Sequence, residues 1–233
     1  MKKIFLLLVF LMGFAVMANA DTFSYVNTGL GVGDVNVTFA PQDLSANNPY
    51  FAGQILVSRD GSAPFPVYCL SVAYAFGNER PTPQGDTQDV NVKSLKDMTS
   101  GLNPDVITGS GAKVAWLLNT YAPGVDSAVE GAALQLAIWE VLYDPAGSYG
   151  LSSGTFRATT GVSGVTDLAK VYWDSIGNNV SDAYWFDTRN YSDSNGKLWG
   201  QDLGAPIPEP TSLLLLGAGL GGLCLGCFRR RKQ

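Results

Sequence analysis

The chain has 233 residues, with 15 Lys plus Arg, 20 Asp plus Glu, three Cys and no His. Without imidazole there is no Ser-His-Asp or Cys-His catalytic unit, no His-ligated zinc, and no side chain whose ordinary pKa lies near neutrality. A charged fraction of 15% beside 46% hydrophobic residues and 27 Gly describes a folded chain with apolar ends, not a disordered one.

At the N-terminus, Lys2 and Lys3 precede the apolar run from Ile4 to Met17, and Ala18-Asn19-Ala20 supplies the small residues that a signal peptidase needs. Residues 1–20 are therefore expected to be a signal helix cleaved after Ala20, because the run is short for an uncleaved anchor. At the other end, Pro206-Ile207-Pro208-Glu209-Pro210 leads into the apolar run Ser212 to Phe228 and the basic cluster Arg229-Arg230-Arg231-Lys232. Such a segment is expected to insert as a transmembrane helix with its Arg end in the cytoplasm, whether as a plain tail anchor or as part of a sorting signal. The order of Pro208-Glu209-Pro210, apolar run and Arg cluster resembles the PEP-CTERM sorting signal of Gram-negative bacteria, placed here over residues 206–233. That resemblance implies transient inner-membrane anchoring, processing by an exosortase, and a final place at the cell surface or in the extracellular matrix.

Residues 21–205 remain, enough for one domain with its own core. The two ends hold six of the basic residues and one acidic residue, which leaves nine basic against nineteen acidic and a net charge of −10. That charge disfavours nucleic acid and anionic lipid as partners. Cys224 and Cys227 belong to the tail, so Cys69 is the domain's one thiol. A lone exported thiol has no intramolecular disulfide partner and must be buried, intermolecular or committed to other chemistry.

In chain order, Thr22 to Ala40 alternates and carries Gly and Asn, as antiparallel strands do. Gln54 to Ser58 and Phe65 to Val72 read as strands joined by the turn Arg59-Asp60-Gly61-Ser62, with Cys69 in the second. Gly77 to Gln88 reads as a polar loop. The period then becomes helical: Gly111 to Tyr121 stops at Pro123-Gly124, and Ser127-Ala128-Val129-Glu130 is a capping box that opens a helix from Ala128 to Tyr143. A third helix is expected over Gly164 to Ile176, and strands over Ala183 to Thr188 and Lys197 to Leu203.

In the second helix a step of about 100° per residue puts Gln135 on the apolar face of Gly131, Ala132, Ile138, Trp139 and Leu142, opposite Asp126, Glu130, Glu140 and Asp144. Burying that amide without partners would cost about 1–3 kcal/mol. Gly131 and Ala132 would let another backbone approach closely. Two explanations stand. Gln135 is a core glutamine bonded to the backbone of a neighbouring strand, with Cys69 a small buried hydrophobe; or the Cys69 sulfur has displaced ammonia from the Gln135 amide and formed an internal thioester.

Tyr68-Cys69-Leu70, followed downstream by Leu134-Gln135-Leu136-Ala137-Ile138-Trp139, resembles the Cys-Gln thioester domains of bacterial surface adhesins. The resemblance implies an α+β fold, an antiparallel β-sandwich or barrel-like part joined to a helical part. It implies a thioester between Cys69 and Gln135, with Tyr68, Leu70, Ile138 and Trp139 as motif residues; Tyr68 and Trp139 would shield the bond from water. It also implies covalent attachment to an amine on a surface or matrix component, a single-use reaction and not enzymatic turnover. No cofactor is called for.

Three other constellations compete. Tyr191, Asp193, Asn195, Gly196 and Asp202 partly echo a calcium loop, but Asn195-Gly196 also suits a hairpin turn. Tyr172, Trp173, Tyr184, Trp185 and Trp199 would, if exposed, form a platform for a non-covalent carbohydrate-binding matrix module; short aromatic-rich strands are more often core. An acidic glycosidase needs a carboxylate pair that spacing alone does not locate.

Overall fold

The computed structural model describes residues 21–41, 49–72, 87–98, 106–187 and 201–208. Its strands are β1 (Asp21–Phe39), β2 (Tyr50–Arg59), β3 (Phe65–Cys69), β4 (Thr87–Ser94), β5 (Phe156–Thr159), β6 (Tyr184–Asp187) and β7 (Leu203–Ala205), and its helices are α1 (Ser110–Tyr121), α2 (Ala128–Tyr143) and α3 (Val165–Asp174).

All the strands join one antiparallel sheet in the order β2-β3-β7-β6-β4-β1-β5, and β1 also pairs with β2, so the sheet curls back on itself. The 19-residue β1 makes this possible. Its register slips at Tyr25/Asn27, Thr28/Gly31 and Val32/Val35 along β2, and such bulges bend a strand and increase its twist. Its first residues pair with β4 and its last four with β5. The β2–β3 hairpin turns at Asp60 (φ 49°) and Gly61 (φ 74°), the left-handed pair that a tight antiparallel turn favours.

Two apolar clusters fill the molecule. Inside the curl lie Phe23, Ile55, Val57, Val67, Val90, Phe186, Leu203 and Ala205, with the Phe23 and Phe186 rings 4.5 Å apart. The larger cluster packs the three helices against the sheet. At its centre is α2, opened by the expected capping box: Glu130 N–H donates to Ser127 Oγ at 3.3 Å, and Ser127 N–H donates to Glu130 Oε2 at 3.2 Å. Every residue from Gly131 to Tyr143 is buried, so α2 is a core helix enclosed on all sides. Glu140, expected on a polar face, is among them, with 0% exposure. The close approach expected at Gly131 is present: a Cβ there would strike the Leu30 carbonyl of β1.

The expected fold class needs correction. The strands make one curled sheet and not a two-layer sandwich, and among the described residues no helix is long and apolar enough to cross a membrane. The longest, α2, has 16 residues and buries a carboxylate, whereas a spanning helix needs about 20 apolar residues. Residues 1–20 and 209–233, where the signal and transmembrane helices are expected, lie outside the described residues. Two strands escape the sequence reading: β4, which takes up the end of the expected polar loop, and β5, four residues long.

Candidate functional site: a buried cysteine between two glutamines

Cys69 ends β3, beside β7. Tyr68 pairs with Gly204 and Cys69 with Leu203, and the Leu70 N–H donates to the Asp202 carbonyl at 2.7 Å, carrying the pairing one residue further. Continued by one more step, this register sets Ser71 opposite Gln201. Directly opposed residues share a face, as do residues two apart, and diagonal neighbours lie within reach of a long side chain. Gln201 can thus reach Cys69 diagonally, and it does: its amide nitrogen meets the Cys69 sulfur and lies 3.5 Å from the Ser71 carbonyl. Both residues are buried.

Gln135 approaches the same cysteine from α2 but takes hold of its backbone. The Cys69 N–H donates to Gln135 Oε1 at 2.9 Å, and Gln135 Nε2 donates to the Cys69 carbonyl at 2.8 Å. The side-chain amide stands in for a strand neighbour, satisfying one donor and one acceptor at the end of β3. Two turns further along α2, Tyr143 does the same for the next residues: its hydroxyl donates to the Leu70 carbonyl at 3.0 Å and accepts from the Val72 N–H at 3.2 Å. Trp139 lies between them on the helix, 1% exposed, with its indole N–H unpartnered.

The assignment of Gln135 as the amide at the sulfur is therefore revised. The structure brings Gln135 and Cys69 together as a clamp on the backbone, the core-glutamine alternative, and puts the amide of Gln201 against Sγ. Sequence reasoning missed Gln201, although a signal was present. In the strand expected over Lys197 to Leu203, Gln201 sits two residues from Leu203 and two from Trp199, an amide on an apolar period-2 stripe just as Gln135 is on a helical one.

The other motif residues are all buried. Leu70 and Ile138 are core. Tyr68 alternates away from the cysteine and pairs with Gln54, and burial pushes its hydroxyl pKa up. Ser71 Oγ and Gln201 Oε1 are buried without hydrogen-bond partners.

Burial pushes the Cys69 thiol up to about 12, against the opposing effects of a contact with the Ser71 carbonyl, the Trp139 indole and the Gln201 amide. The thiol is protonated at neutral pH, and Sγ lies 3.1 Å from the Ser71 carbonyl oxygen. A neutral thiol is a weak nucleophile, so reaction with the Gln201 amide has to come from enforced proximity in a water-poor site.

The alternative sites fare differently. Tyr172, Trp173 and Trp185 are buried and Tyr184 is half-buried, so these aromatics form core and not a glycan platform. Trp199 and residues 191–196 of the calcium-loop echo lie outside the described residues, and Asp202 is buried. Among the described residues no group of three or more metal-ligating side chains occurs. Of the sorting motif, Pro208 is exposed, while Glu209, Pro210 and Arg229 to Arg231 lie outside the described residues.

Fold and site together define an α+β module in which the segment entering the last strand delivers a glutamine amide to a buried cysteine. Residues 206–232 match the family model described as the PEP-CTERM protein-sorting motif, so the chain carries that motif at its C-terminus. Among solved structures, the N-terminal thioester domain of the fibronectin-binding protein SfbI from Streptococcus pyogenes aligns over 79% of this chain and 98% of its own, with 11% identity and a TM-score of 0.41. The N-terminal domain of the S. pyogenes pilus tip adhesin Cpa aligns over 80% and 99%, with 14% identity and a TM-score of 0.39. No curated protein sequence gives a significant match.

Proposed function

We propose that this is an exported, surface-sorted protein that forms an internal thioester between Cys69 and Gln201 and uses it to attach covalently to an amine on a partner. The observation that carries this reading is the Gln201 amide held against the Cys69 sulfur in a buried site. In formation, Sγ bonds to the Gln201 side-chain carbonyl carbon, the carbon–nitrogen bond breaks, and the thiol proton leaves with the nitrogen as ammonia. In use, a partner amine adds to that carbon, the carbon–sulfur bond breaks, and the products are a secondary amide at Gln201 and a free Cys69 thiol. Each molecule reacts once. Gln135 fixes the backbone from which the sulfur attacks. The sorting motif at residues 206–232 supports delivery to the cell surface or matrix; removal of residues 1–20 by signal peptidase and exosortase processing near Pro208-Glu209-Pro210 complete the pathway.

Intact mass spectrometry tests the chemistry. The folded protein is expected to lack one ammonia, to gain one methylamine on incubation with that amine, and then to expose one alkylatable thiol, with the adduct mapping to Gln201. Cys69→Ala and Gln201→Ala abolish the adduct. Gln135→Ala keeps the acyl carbon, so its folded fraction retains the adduct. A full-mass wild-type protein with a free Cys69, or an adduct mapping to residue 135, would overturn the assignment.

A further inference from the structure

Three successive turns of α2 face the end of β3. Gln135 and Tyr143, at either end of this row, spend their polar atoms on the backbone of Cys69, Leu70 and Val72. Trp139 stands midway, four residues from each, so its side chain rises on the same face of the helix. Its indole N–H is buried without a geometric hydrogen-bond partner, yet the indole is near enough to the Cys69 thiol to oppose the rise in its pKa. A buried donor left unpaired costs about 1–3 kcal/mol, and such a group in an otherwise satisfied row calls for a partner that arrives in another state of the site.

The sulfur supplies that state. In the resting thiol, Cys69 Sγ has the Gln201 amide and the Ser71 carbonyl beside it. Thioester formation expels the Gln201 amide nitrogen, removing that donor. Aminolysis then asks the sulfur to depart carrying negative charge inside an apolar enclosure, where burial already holds its thiol far from ionising. A poorly stabilised thiolate leaves slowly. A fixed N–H aimed at the atom where charge develops is the type of group that lowers such a barrier.

We infer that the Trp139 indole N–H donates a hydrogen bond to the Cys69 sulfur and stabilises it as the leaving group when an amine opens the thioester. The carbon–sulfur bond breaks with its electron pair going to sulfur, the indole N–H holds that charge without transferring its proton, and the proton lost by the attacking amine finally resides on the thiol. Trp139 is thus a catalytic group for the single turnover, beyond any part in excluding water. The leaving-group role rests on the thioester reading; the hydrogen bond between Trp139 and Cys69 does not.

The test uses the full chain with Trp139→Phe, and with Trp139 replaced by benzothienylalanine, which keeps the bicyclic shape and lacks the N–H. Both should still lose ammonia, but methylamine should release the thiol roughly ten- to a hundredfold more slowly than in wild type. The free thiol, in amine-opened protein or in Gln201→Ala, should also be alkylated more slowly between pH 7 and 9, because less of it is ionised at any pH. Ser110→Ala removes a buried, unpartnered hydroxyl on α1 and should leave both rates unchanged. Equal rates for wild type and the benzothienylalanine protein, or the same slowing in Ser110→Ala, would overturn the inference. A wild-type chain that never loses ammonia would sink the thioester and with it the leaving-group role, while the alkylation comparison in that chain would still decide whether the hydrogen bond exists.

Discussion

Two glutamines with the same composition-level signature have different tasks because of where their amides end. Gln135 rises from a helix and meets the N–H and C=O of one residue, which a primary amide matches with one acceptor and one donor. Gln201 lies two residues before β7, where continuing the β3–β7 register carries its amide to the side chain instead. Glu140 sits in an environment that its place in the sequence does not announce. Its Oε1 accepts from the Gly150 N–H at 2.6 Å while Oε2 has no partner. Burial pushes its pKa up to about 7; the Gly150 bond opposes this and the Asp144 carboxylate adds to it. A carboxyl with a raised folded pKa binds its proton more tightly folded than unfolded, so stability is full below the ordinary carboxylate range near 4.5 and declines as pH rises through 7. The thermal midpoint should therefore rise as pH is lowered from 8 to 5. Glu140→Gln should remove that slope and raise the midpoint at pH 8. A wild-type midpoint that is flat across this interval would contradict the assignment.

At the scale of elements, what could be read from the sequence was whatever is decided locally. The capping box at Ser127 and Glu130 gives the start of α2, and Asp144-Pro145 gives its end, because both are matters of backbone hydrogen bonding within a few residues. The β2–β3 turn is legible for the same reason. The polar face assigned to α2 was not, since Glu140 and Asp144 are buried by later segments: the Gly150, Thr155 and Phe156 amides fold back to bond them. Likewise β4 and β5 are strands because β1 offers them an edge, and no pattern within four residues such as Phe156 to Thr159 announces that. Gly131 is the point where α2 and β1 come closest. Alanine there gains about 1 kcal/mol of helix propensity, but its Cβ would meet the Leu30 carbonyl, a backbone atom that cannot rotate away, and overpacking of this kind costs about 1–3 kcal/mol. Gly131→Ala should thus lower the urea midpoint. Gly33→Ala, in β1 with open space around the new methyl, should not. Equal midpoints for the two variants would show that the helix is not pressed against β1.

For the whole molecule, the site joins two parts of the chain 132 residues apart. β7 pairs with β3 and β6, so the end of the domain is woven between its beginning and its late middle. A Cys69–Gln201 bond would lock that closure, with the three helices inside the loop it seals. The two segments are already hydrogen-bonded through Leu70 and Asp202 at 2.7 Å, so the bond adds a constraint to neighbours that the fold has placed. Cross-linking so long a loop removes unfolded-state entropy worth about 4–5 kcal/mol in the chain-entropy model. In a domain of this size that corresponds to a shift of the order of 10 °C in the unfolding midpoint. Attack by a partner amine would exchange an internal cross-link for an external one, leaving the domain attached but less stable. Scanning calorimetry before and after methylamine should show the midpoint fall by about that amount. Cys69→Ala should begin at the lower midpoint and be indifferent to the amine. An adduct confirmed by mass but with no change in midpoint would mean that the bond serves attachment alone and that the curled sheet holds β7 in place without it.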